Sequence, residues 1–197
     1  MLEGEERVAV KGVVDVLAAA QEPLSLALLQ RMGMHDTLSR LPGWGTLFYA
    51  AEHRVYMMHK SLADWLADAS TDPRFRCDTA HGHLQLGRHL AKGVLSTAVS
   101  GSGASWPRYP LFYLVKHLVE ALAVQGAVQE AHAAGGRAGS MLDAVLSHTD
   151  FVDAVLCAKQ GSRLIADLAG GVHRGDLSDW SVAVSYTHLT LPTNREV

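Results

Sequence analysis

His59, Lys60 and Ser61 are the residues whose types and spacing most invite chemistry. They lie between an apolar, strand-like run, Val55-Tyr56-Met57-Met58, and a helix-like run carrying Leu62, Trp65 and Leu66. The first amides of a helix point backward and attract anions, and an imidazole N–H adds a donor. An imidazole at that junction can hold a phosphate. It can equally pack under the strands and bond the backbone, and the residues alone leave both uses open. Lys60-Ser61 matches the end of a phosphate loop, but no glycine directly precedes Lys60. No Gly-Lys-Ser/Thr occurs anywhere in the chain, so nucleotide hydrolysis by it is not expected. His81, His83 and His89 do not make a metal set: on a helix 81 and 83 face different sides, and 83 and 89 are not four apart. No metal is expected. Gly101-Ser102-Gly103-Ala104-Ser105 lacks the Gly-x-Ser-x-Gly spacing and a preceding strand, and reads as a flexible linker. No constellation supports an enzyme.

The elements that would position His59 follow from periodicity. Arg7 to Ala20 places Val8, Val10, Val13, Val14, Val16 and Leu17 on one broad helical face. Pro23 stops that helix and opens a second, Leu24 to Met32, with Gly33 suited to its C-terminal cap. His35-Asp36-Thr37 opens a third, with Leu38 and Leu41 inward, ended by Pro42-Gly43. Thr46-Leu47-Phe48-Tyr49 and Val55 to Met58 read as a hairpin turning at Ala51 to Arg54. Ser61 and Asp64 fit a variant capping box, so Ser61 is expected to open the next helix. Three short helices, a hairpin and a further helix make the element order of a winged-helix domain. Trp44, Phe48, Tyr49 and Tyr56 are then hairpin and core packing, as are Trp65 and Phe112.

The second half reads as helices joined by short breaks. They cover Thr79 to Val99, Tyr109 to Val124 and Gly126 to Ala134. After Gly135-Gly136 come Met141 to Leu146 capped by Ser140, Phe151 to Lys159 capped by Asp150, and Arg163 to Leu168 opened by Ser162 and closed by Gly170-Gly171. Residues 184–197 break this pattern with Thr-rich sequence and resemble translated sequencing adapter. The expected fold class is mainly α. A winged-helix domain with a small β-hairpin fills residues 1–69, a helical bundle or superhelical segment fills 70–183, and the artefactual tail fills 184–197.

The chain has 197 residues, 48% hydrophobic and 19% charged, which suits a packed core rather than disorder. Net charge is −3, so the electrostatic footprint of a nucleic-acid binder is missing. The predicted third helix offers Arg40 alone, beside Asp36. No apolar run reaches membrane-spanning length, and the acidic N-terminus is unlike a secretory signal. Cys77 and Cys157 stand in no metal spacing and fit a reducing compartment, so the expected location is cytoplasmic.

Three stretches together resemble the signal-transduction ATPases with numerous domains, the NACHT and NB-ARC families. Met58-His59-Lys60-Ser61-Leu62-Ala63-Asp64-Trp65-Leu66 is similar to the Met-His-Asp segment of their winged-helix domain. Relatives with WD repeats often have His-Lys-Ser there, then Asp, an aromatic residue and Leu, as in His59, Lys60, Ser61, Asp64, Trp65 and Leu66. Tyr109 to Leu118 resembles the helical segment that follows. Leu142-Asp143, Phe151 to Ala154, Gly161 and Leu164 to Asp167 resemble the linker before a WD-repeat propeller. Lys60 stands where the NB-ARC motif has Asp, so no role of that acid carries over.

The resemblance implies a non-catalytic fragment of such a switch, sensing nucleotide state and relaying it to oligomerisation. The ATPase domain would lie upstream, ADP or ATP would bind only in the full-length protein, and the fragment would hold no cofactor. His59 would contact the nucleotide phosphate, with Lys60 and Ser61 supporting the helix N-terminus. Its partners would be the upstream nucleotide-binding domain, a downstream repeat domain and further copies of the chain, with no membrane and nucleic acid disfavoured. The alternatives are a DNA-binding winged-helix regulator and a helical interaction scaffold.

Overall fold

Helices dominate the computed structural model, which describes residues 4–40, 47–68, 70–73, 75–96, 106–128 and 138–173. The tail at 184–197, the Gly101 to Ser105 segment, Trp44, the Pro42-Gly43 stop and the Gly135-Gly136 break lie outside those residues. The chain divides into two compact units, residues 1–85 and 86–197.

The first unit begins with α1, Gly4–Ala19. Val13, Val16 and Leu17 are buried at helical spacing, whereas Val8 is 73% exposed, so the apolar face is shorter than the valine pattern implies. The segment after Pro23 is not one helix. Leu24–Ser25 forms strand β1, and only Leu26–Arg31 is helical, as α2. Ser25 caps α2, its Oγ accepting the Leu28 N–H at 3.2 Å. The alternative partner decides the outcome at Leu24: its register with Val55 buries both side chains against the core.

Helix α2 ends in a Schellman motif. The Met34 N–H bonds to Leu29 O at 2.9 Å and the Gly33 N–H to Gln30 O at 2.9 Å, with Gly33 at φ 73° as the motif requires. Helix α3 is His35–Arg40. Strands β2, Phe48–Ala51, and β3, Arg54–Met57, form the hairpin, turning on Glu52 and His53 at φ 50° and 60°. The sheet is antiparallel in the order β1-β3-β2. Phe48 and Val55 face inward and are buried, while Tyr49 and Tyr56 pair on the outer face. Helix α4, Lys60–Ala67, follows.

The first unit extends past residue 69 because residues 77–85 return to α1. These residues include the start of α5, Thr79–Ser96, a single helix within which the boundary between units falls. In the second unit, α6, Arg108–Val128, is the central element. It buries Tyr113, Leu114, Val115, His117, Leu118 and Val119, which surround the helix rather than forming one stripe. Helices α7, Ala138–Leu146, α8, Thr149–Cys157, and α9, Gly161–His173, pack against it. Four expected ends are corrected here. Ser140 lies inside α7 and Ser162 inside α9, so neither opens its helix. Helix α8 is capped by His148, whose Nδ1 accepts the Phe151 N–H at 3.3 Å, not by Asp150. Helix α9 runs through Gly170 and Gly171, with Gly171 buried. Packing of Leu164 and Leu168 outweighs the roughly 1 kcal/mol each glycine costs a helix.

Candidate functional site

His59 occupies the N-cap of α4 in extended backbone conformation, φ −148° and ψ 142°. The hairpin brings it there. The Met58 N–H donates to Leu47 O at 2.8 Å, closing the strand pair, and the chain then turns into the helix. The ring is exposed. Its Nδ1 accepts the Ser61 N–H at 3.2 Å and lies 2.5 Å from Ser61 Oγ. The His59 carbonyl accepts the Leu62 N–H at 3.0 Å. The expected capping by Ser61 is therefore inverted: Ser61 donates, and His59 caps. With Nδ1 accepting, hydrogen-bond assignment puts the proton of the neutral ring on Nε2. One donor on an exposed ring at a helix start is what this arrangement offers. Lys60 is the first residue of α4, and Ser61 contributes its N–H and hydroxyl to the ring.

The outer hairpin face continues from His59. Leu47, Tyr49 and Met58 are exposed large apolar side chains on it. The Tyr49 and Tyr56 rings stack at 5.0 Å with 11° between planes.

A second constellation escaped the sequence reading. Asp15 on α1 is 1% exposed. Lys11 Nζ reaches both its carboxylate oxygens at 3.0 Å, and the Asp78 N–H donates to Oδ1 at 2.8 Å. His81 Nδ1 stands 3.7 Å from Oδ2, and Gln85 Nε2 lies 3.1 Å from His81 Nε2. These residues line an open groove of about 530 Å³, with Val8, Val13, Met34 and Thr37. Nearby Cys77 is buried, and burial together with the Asp15 charge pushes its thiol up to about 11. The available signal was a carboxylate inside the run Val13-Val14-Asp15-Val16-Leu17, four residues after Lys11.

Among the described residues, the other histidines do not converge. His81 belongs to the Asp15 cluster, His148 caps α8, and His117 is fully buried with Nε2 3.0 Å from Tyr109 OH. Among the described residues, no group of three or more His, Cys, Asp or Glu could hold a metal ion. No described helix is long and apolar enough to cross a membrane. In the second unit, burial raises the Asp167 carboxyl above the usual carboxylate range, against the lowering effect of Arg163 and Lys116.

No family model, curated protein or solved structure matches this chain.

Proposed function

We propose that the chain is a non-catalytic regulatory part of a switch ATPase of the NACHT/NB-ARC kind, with a winged-helix module in its first unit and a helical relay in its second. The element order α1-β1-α2-α3-β2-β3-α4, with the sheet ordered β1-β3-β2, supports the winged-helix reading. The observation that carries the proposal is the exposed His59 ring, fixed by Ser61 so that Nε2 points away from its own cap. In the full-length protein that N–H donates to a phosphate of bound ADP and holds the closed state. A hydrogen bond to a charged group contributes roughly 1.5–3 kcal/mol, enough to shift a two-state equilibrium by about 10–100-fold. Loss of the contact releases the helical part for self-association, a domain rearrangement of the usual bistable type.

The test has two arms. Extending the reading frame upstream is expected to reveal Gly-x-x-x-x-Gly-Lys-Ser/Thr. Purified full-length His59→Ala is expected to elute as a larger species than the parent in the presence of ADP. Absence of the phosphate loop favours the plain helical scaffold, and an unchanged elution position removes His59 from the switch.

A further inference from the structure

We propose that residues 77–85, from Cys77 through the first two turns of α5, form a latch that opens from α1 as a local unit, with the Asp15 carboxylate as its catch. Its use in signal relay rests on the switch reading; the opening itself does not.

Three observations carry it. The contacts that hold the segment to α1 centre on one buried anion. Asp15 Oδ1 accepts the Asp78 N–H at 2.8 Å immediately before α5 begins, while Lys11 neutralises the carboxylate at 3.0 Å from its own helix. His81 of the latch adds a ring nitrogen 3.7 Å from Oδ2. Next, α5 lies backbone against backbone on α1. A Cβ at Gly82 would come within 2.1 Å of the Asp15 carbonyl oxygen and 2.9 Å of Ala19 Cβ. The approach therefore needs glycine, and it leaves no room for an apolar side chain there. Finally, from Thr79 to Gln85 the one large apolar side chain is Leu84, and it is half-buried. Segments with few buried apolar contacts open at a fraction of the global unfolding free energy. A latch of this kind is released by disturbing the catch, not by dissolving the core.

The latch is the first part of a longer helix, which runs on to Ser96.

Cys77 reports the state. Closed, the thiol is buried and its N–H is bonded to Leu66 O at 2.7 Å; opening exposes it. In the full chain carrying Cys157→Ser, Cys77 is the sole thiol, and its alkylation by iodoacetamide at pH 8 is followed across sub-denaturing urea. The latch predicts slow labelling whose rate barely depends on urea. It also predicts that Asp15→Asn speeds labelling by about tenfold or more, the loss of one charge-assisted contact. The contact is lost in the unfolded chain too, so the melting transition by circular dichroism moves by the same free energy, and it is the urea independence of labelling that separates local opening from global unfolding. Lys11→Met acts in the same direction more weakly. Labelling that follows global unfolding throughout the urea series, or a rate unchanged in the variants, overturns the latch. Should Asp15→Asn fail to fold, Lys11→Met is judged on the same two criteria. A missing upstream nucleotide domain would remove the switch and leave these rates as they are.

Discussion

At the scale of single residues, the capping role that His59 shows and the phosphate role we propose for it can be separated by substitution. Its Nδ1 satisfies an amide in the first turn of α4, and its Nε2 is the donor of the proposed phosphate contact. Removing an N-cap acceptor costs roughly 0.5–2 kcal/mol. His59→Ala is expected to lower stability by about 1 kcal/mol in urea denaturation, and His59→Ser to restore it, since serine caps through its own oxygen. Equal stability of the two variants would show that the cap contributes nothing. Cys77 gives a pH signature. Its folded-state thiol is raised above the ordinary value of 9.0 to about 11, so the unfolded chain loses that proton first. The stabilisation is complete below pH 9 and disappears as pH rises through about 11. Cys77→Ala should flatten the stability profile over that window; a profile of unchanged slope would show that another group sets it. His59 could be singled out from sequence because a strand-like and a helix-like run meet there. Asp15 carries a weaker signal, its place inside an apolar run, and a helical i,i+4 pair with Lys11 argues against it because such pairs usually mark a solvated face. Only the return of residues 77–85 makes it a buried anion.

At the scale of elements, caps and turns decide more than apolar periodicity. Helices α2 and α8 end in the same Schellman geometry, but one has Gly33 at C′ and the other Lys159 at φ 59°. A left-handed lysine carries a steric penalty that glycine lacks. Lys159→Gly should stabilise the chain by about 0.5–1 kcal/mol, and Gly33→Ala should destabilise it by a similar amount, both read from denaturation midpoints. A neutral or destabilising Lys159→Gly would mean that the lysine side chain makes a compensating contact. The hairpin turn is built on two non-glycine residues with positive φ, Glu52 and His53, and is steadied by the Leu26 N–H donating to His53 O at 2.8 Å. That long-range bond is also why β1 was not legible. Leu24 and Ser25 follow Pro23 and look like a helix start, and nothing local announces their partners Val55 and Arg54. The helical content and the hairpin were legible, because their periods of 3.6 and 2 are written in neighbouring residues. The caps at His59 and His148 were not, since the residue types expected to cap stood two positions away, at Ser61 and Asp150.

At the scale of the whole molecule, the small three-stranded sheet and its helices lie in the first unit, and the described elements of the second are helices. The sheet presents His59 at its end, and the long helix α5 begins in one unit and finishes in the other. The switch proposed above needs a contact that registers a ligand and an element that carries the consequence, and it gives these roles to His59 and α5. The most direct test of that assignment is the nucleotide content of purified full-length protein, measured by chromatography of the released ligand, for the parent and for His59→Ser. Serine keeps the cap and removes the imidazole donor, so folding of α4 is preserved while the phosphate contact is lost. The parent is expected to carry ADP through purification and the variant to lose most of it. Equal ADP in both proteins would contradict a sensing role for His59.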